Sequence, residues 1–100
     1  MGVIDVRITF SNGQFTVSPD PVTLAKSKGE TIKWHNDTNQ SVTINFTDGT
    51  PFPAERNPYP VSAGKQADSG NITVDAVTKW AYTVTAASGA MMDPQVIIER

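Results

Sequence analysis

The chain has 100 residues, no cysteine and a formal net charge of −2, with eight basic and ten acidic residues. That is one domain's length, enough to bury a core unaided, and the missing cysteines exclude disulfides, thiolate-bound zinc and iron–sulfur clusters. The near balance of charge, with Lys and Arg scattered, excludes a nucleic-acid footprint, and no apolar run is long enough to span a bilayer.

Strand signals dominate from the N-terminus onward. The segment MGVIDVRITF lacks a basic region followed by an apolar run, so it is not a signal peptide. Ile4, Val6, Ile8 and Phe10 alternate with Asp5, Arg7 and Thr9, the period of a half-buried strand. Ser11-Asn12-Gly13 reads as a turn, because Asn-Gly accepts positive φ at low cost. Phe15 and Val17 begin a second strand. Pro19 and Pro21 break it, and Val22 and Leu24 continue it as an edge strand that changes direction or sheet.

Lys28-Gly29 is a turn, followed by alternation through Ile32 and Trp34 and a polar loop over 37–40. Val42, Ile44 and Phe46 form the next strand. Residues 48–64 hold four of the seven prolines and predict a long loop with one helical turn around 54–57. Ile72 and Val74 predict a short strand, and Trp80, Tyr82 and Val84 a strong one. Ser88-Gly89 turns, Met91-Met92 lies in a loop, Asp93-Pro94 sets a turn, and Val96 with Ile98 closes the chain. Trp34 and Trp80 are expected buried on facing strands. Seven or eight short strands at this spacing indicate an all-β sandwich spanning residues 1–100 as a single domain.

The order GETIKWHN at 29–36, SVTINF at 41–46 and WAYTV at 80–84 resembles the cupredoxin family, the plastocyanin-like sandwiches, over about residues 15–100. The resemblance implies a cupredoxin-like Greek-key β-sandwich of seven or eight strands. It also implies an exported protein, periplasmic or secreted. In that family a His follows the first segment, and a Cys, a second His and often a Met follow the last. Here Ser41 stands at the first His and Val84 at the Cys, no His follows Val84, and Met91 and Met92 lie where the Met ligand is often found. A type 1 copper site needs thiolate and two imidazoles, so no copper cofactor is expected. The resemblance gives Asn36 the role of tying neighbouring loops by hydrogen bonds. Immunoglobulin-like and fibronectin-like sandwiches share the alternation.

His35, the only histidine, lies opposite Ile32 and Trp34 by alternation and reads as a solvent-facing strand residue. It has no identifiable nucleophile partner, Glu30 and Glu55 are distant in sequence, and no glycine loop suits a phosphate, so the chain is not expected to be an enzyme. Asn36, Asn39, Asn45 and Asn71 each begin an Asn-x-Ser/Thr triplet, and such matches arise by chance in a chain this rich in Ser, Thr and Asn. The expected use is a binding or structural module, monomeric, meeting another protein through a loop end formed by 37–41, 48–60 and 86–94. Phe52, Tyr59, Met91 and Met92 are its candidate contact residues. Prolines restrain the loop that carries the two aromatics, which lowers the entropy cost of binding. Two alternatives stand beside it: a metal-handling or electron-transfer relative using Met91, Met92 and His35, and an immunoglobulin-like adhesion or carbohydrate-binding domain.

Overall fold

The computed structural model describes residues 2–12, 14–75 and 77–100. Its strands, in chain order, are β1 (Val3–Ser11), β2 (Gln14–Ser18), β3 (Val22–Ala25), β4 (Thr31–Asn36), β5 (Val42–Asn45), β6 (Tyr59–Val61), β7 (Gln66–Asp68), β8 (Thr78–Ala81), β9 (Thr83–Ala86), β10 (Met91–Met92) and β11 (Gln95–Glu99). The expected seven or eight strands are therefore eleven segments among the described residues. They form three hydrogen-bonded sheets, β2-β1-β4-β7, β10-β9-β5-β6 and β3-β11-β8, in an all-β, sandwich-like arrangement that is not a barrel. Among the described residues no helix is long and apolar enough to cross a membrane.

Much of the excess in strand number comes from one proline. Pro94 has no N–H to give to the ladder. The last hairpin is accordingly interrupted on both strands at one level, between β8 and β9 at Tyr82 and between β10 and β11 at Asp93-Pro94, and the Tyr82 N–H donates to the Pro94 carbonyl at 3.0 Å. The second and third sheets thus run into one another through two continuous chain crossings. Prolines 19 and 21 act similarly at the other side. The peptide bonds preceding Pro19 and Pro21 are cis, and the chain leaves β2 on the first sheet to enter β3, parallel to β11, on the third. This is the change of sheet that the proline pair predicts.

Period-two alternation sets the core. Val6 and Ile8 of β1, Val22 and Leu24 of β3, Ile32 and Trp34 of β4, Val42 and Ile44 of β5 and Val96 and Ile98 of β11 are all buried in one apolar cluster. β1 runs parallel to β4, with Val6 opposite Trp34. Trp34 is the hub: its ring lies 4.9 Å from Tyr59, 5.8 Å from Tyr82, 6.2 Å from Phe52 and 6.3 Å from Phe46, in tilted or edge-on geometries. Such arrangements set positive ring edges against negative ring faces. Its Nε1–H donates to the Tyr82 hydroxyl at 3.3 Å, joining the first sheet to the point where the third passes into the second.

That junction corrects one expectation. The aromatic that meets Trp34 across the sandwich is Tyr82, whereas Trp80 is only partly buried against the core's rim. Gly49 lies over it, with φ of +102° and so little space that an added Cβ would stand 3.2 Å from the Trp80 ring. Phe10, expected inward, is exposed at the β1–β2 hairpin and leans on Phe15 with ring centroids 6.2 Å apart. Asn12 takes the left-handed conformation at φ 54°, as the turn there requires; Gly13 of that turn lies outside the described residues.

The 48–64 segment contains the single short helical turn expected of it, Ala54–Arg56. It then returns as β6 and pairs with β5. Asn57 prolongs β5 by imitating a strand: its side-chain amide accepts from the Phe46 N–H and donates to the Phe46 carbonyl, both at 2.9 Å. Ile72 and Val74 are not in a strand. They are half-buried against the core, but the Thr73 N–H donates to the Pro51 carbonyl at 2.8 Å, so this stretch pairs with a loop.

Candidate functional site

Four candidate contact residues separate into two environments. Phe52 is 1% exposed and Tyr59 4%, both in the aromatic cluster around Trp34. The expectation that they share an exposed patch with the methionines does not hold. The Tyr59 hydroxyl donates to the Ser69 carbonyl at 2.8 Å, and burial pushes its pKa up to about 12. Burial likewise raises that of Tyr82. Met91 is 59% exposed and Met92 half-buried. Both belong to a strand rather than a loop, since β10 pairs with β9, Met91 opposite Thr85 and Met92 opposite Val84.

The best-organised surface lies where β4 ends, and it is built around a buried polar residue. Asn36 is 1% exposed, and its side-chain amide has four partners. The Nδ2 group donates to the Gln40 carbonyl at 2.7 Å and the Val61 carbonyl at 2.9 Å. Oδ1 accepts from the Thr38 N–H at 3.0 Å and the Thr38 hydroxyl at 2.7 Å. Both amide protons and both lone-pair directions are thus used, which is what burial of a carboxamide demands. The main chain adds two further bonds, Asn36 N–H to the Lys65 carbonyl and Gly64 N–H to the Asn36 carbonyl, each 2.9 Å.

Gln40 carries the network to a third loop. Its Oε1 accepts from the Ser88 N–H, and the Ser41 carbonyl accepts from the Ala87 N–H, both at 2.9 Å. Arg7 pairs with Asp37 at 3.0 Å across exposed surface. Segments 36–41 and 61–65 are therefore held together around the Asn36 amide, and Gln40 and Ser41 join 86–90 to them. Asp37, Asn39, Ser62, Lys65 and Ser88 are exposed on them. The loop-tying role expected of Asn36 is what its hydrogen bonds do. Residues 61–65, absent from the loop end read in the sequence, take the place of 48–60. The sequence has no signal for that exchange, because the Val61 and Lys65 partners are backbone carbonyls.

His35 is 9% exposed, not solvent-facing. Alternation correctly puts it on the side of the sheet away from Trp34, yet there its Nε2 sits 2.7 Å from Asp5 Oδ1. It lies between Arg7 and Gln66 in the register. The hydrogen bond to His35 is the main reason that the Asp5 carboxyl is held below its ordinary value. His35 thus lies on β4 of the first sheet, on the side away from Trp34, whereas Met91 and Met92 lie on β10 of the second. Among the described residues no three His, Cys, Asp or Glu side chains are grouped to hold a metal.

The four Asn-x-Ser/Thr triplets also divide. Asn36 is committed to its hydrogen bonds and Asn45 is half-buried in β5, whereas Asn39 and Asn71 are exposed. No family model matches the chain, and no curated protein matches it in sequence.

Proposed function

We propose that this chain is a non-catalytic, cupredoxin-like Greek-key domain without type 1 copper, exported from the cytoplasm, that binds another protein through the three-loop end around Asn36. The observation that carries the reading is the Asn36 network. It spends a buried carboxamide, two backbone junctions and the Gln40 side chain on fixing three loops whose outward residues Asn39, Ser62, Lys65 and Ser88 are exposed. A surface ordered beforehand loses less entropy when a partner arrives. The sheet order, with β1 parallel to β4 in one layer and β3 parallel to β11 in the other, supports the cupredoxin-like part of the reading. Ser41 and Val84 at the ligand positions support the absence of copper chemistry, since neither a hydroxyl nor an isopropyl group replaces imidazole or thiolate. Phe52 and Tyr59 have no part in the contact, and Met91 lies at its margin.

A photo-reactive side chain placed at Asn39 or Ser88, with Thr23 on β3 as control, tests the site in cells of the native host. One common adduct from positions 39 and 88, absent at 23 and lost on Asn36→Ala, is the expected result. Equal adducts from all three positions would refute a loop-end contact. Cu(II) added to the pure protein should give no intense visible thiolate-to-copper band; such a band would overturn the copper-free assignment.

A further inference from the structure

Six strands lie at sheet ends: β2, β7, β10, β6, β3 and β8. An edge strand offers unpaired N–H and C=O groups to any extended chain, and folded proteins guard against this with charge, proline, short length or a covering group. Five of the six are guarded. β7 has three residues and ends on Asp68, whose carbonyl is taken by Arg56. β6 contains Pro60, and β10 is two residues long. β8 carries Lys79. β3 follows Pro21, and its last N–H, that of Ala25, is bound by the Glu30 carboxylate.

β2 carries no charge and no proline within it, and only Pro19, just beyond its last residue, resembles one of these devices. The strand is five residues long, reads Gln-Phe-Thr-Val-Ser, and among the described residues pairs only with β1. Its outward residues Gln14, Thr16 and Ser18 are exposed. β10 approaches it from the opposite layer without pairing. The surrounding sequence is also uncharged, with no Lys, Arg, Asp or Glu between Arg7 and Asp20.

We infer that β2 is a self-complementary edge through which two copies of this chain pair antiparallel, extending the first sheet across a two-fold axis at Thr16. The chemistry favours a second copy over an unrelated strand. An antiparallel pairing centred on Thr16 sets Thr16 against Thr16, Phe15 against Val17 and Gln14 against Ser18. These are hydroxyl–hydroxyl, aromatic–β-branched and polar–polar pairs, of the kinds that stabilise facing strands. No like charges meet, because the segment has none, and a net charge of −2 opposes association only weakly. The two-fold makes the contact isologous and closed, so it ends at a dimer. One five-residue strand pair is a small contact beside the areas of permanent dimers, so the association is reversible and concentration-dependent. It departs from the monomer expected of the sequence.

Sedimentation of the whole chain from about 10 μM to about 1 mM reads the equilibrium directly. The weight-average mass should climb from the 10.8 kDa monomer toward twice that value. Amides of β2 should gain protection from hydrogen exchange over the same range. Thr16→Lys and Thr16→Glu each put like charges across the axis at an exposed position; each alone should stay monomeric with unchanged melting temperature, and an equimolar mixture should dimerise again. A mass constant at the monomer value up to the highest concentration would overturn the inference. So would a dimer that survives Thr16→Lys, since the contact would then lie elsewhere.

Discussion

Replacing Asn36 by alanine removes four side-chain hydrogen bonds at once, and the structure says which partners suffer. The Thr38 hydroxyl can turn to the Gln40 carbonyl, which it already meets at 3.0 Å, so those two groups stay satisfied. The Thr38 N–H is left without a partner, and the Val61 carbonyl loses the donor that Asn36 gave it. Each orphaned buried group costs about 1–3 kcal/mol, and water entering the vacated volume at a loop end relieves part of it, so the loss should be about 2–4 kcal/mol. That is a large share of the roughly 5–15 kcal/mol that holds a domain of this size together. Guanidinium unfolding followed by tryptophan fluorescence measures it, with a lowered midpoint and unchanged slope. At about 4–8 °C per kcal/mol for a domain of this length, the melting temperature should fall by roughly 8–32 °C. Asn36→Asp sharpens the test. It keeps the contacts to Thr38 but aims a carboxylate oxygen at the Gln40 and Val61 carbonyls, so at neutral pH it should be at least as damaging as alanine. A loss below about 0.5 kcal/mol for alanine, the range of an ordinary surface change, would refute the network as the organiser of the loop end. A stable aspartate variant would refute the amide's orientation.

Phe52→Ala should cost about 3–5 kcal/mol in the same assay, because Phe52 meets Trp34 and Phe46 edge-on inside the core; a surface-like loss would return it to the list of contact residues. The Asp5 carboxyl is held below its ordinary value of 3.8 by His35, so its contribution is present above that value and disappears as pH falls through the lower folded-state value. Asp5→Asn should therefore lower stability at neutral pH and converge with the parent chain in strong acid; parallel profiles would sink the assignment. The two tyrosines are buried with raised pKa values, Tyr59 to about 12, so neither should ionise near pH 10 in the folded chain. Their stabilising effect is present below pH 10 and lost as pH rises further, and phenolate absorbance should appear together with alkaline unfolding.

Alternation in the sequence carried the facing of side chains well beyond the pairing of strands. Val6, Ile32, Val42 and Val96 are where a period of two puts them. Even Ile72 and Val74 turn inward, though their backbone joins a loop. Periodicity reports which side of an extended chain is apolar, and extended chain need not be paired. The proline pair was legible for the same local reason: Pro19 and Pro21 cannot donate, so the strand stops and changes sheet there, whereas Pro94, read as setting a turn, also interrupts the last hairpin. Asn36 was legible as a loop tie through the order of segments around it.

Coverage was not legible, because it is decided by what the fold brings from elsewhere. His35 faces outward as its phase requires and is buried all the same, under neighbours supplied by β1 and β7. Gln66–Asp68 has little strand propensity and becomes β7 by lying against β4. Phe52 and Tyr59 sit in a proline-rich stretch with no period, so nothing local distinguishes a ring held out for a partner from one folded over Trp34. The loop end is a set of carbonyl and amide contacts among segments up to 48 residues apart, as between Gln40 and Ser88. Every residue has a backbone carbonyl, so which one Asn36 finds is written in tertiary structure alone. The sequence determined the all-β character and the inward faces through local geometry and hydrophobicity; the fold decided burial, register and the assembly of the loop end, which depend on distances between residues that are remote along the chain.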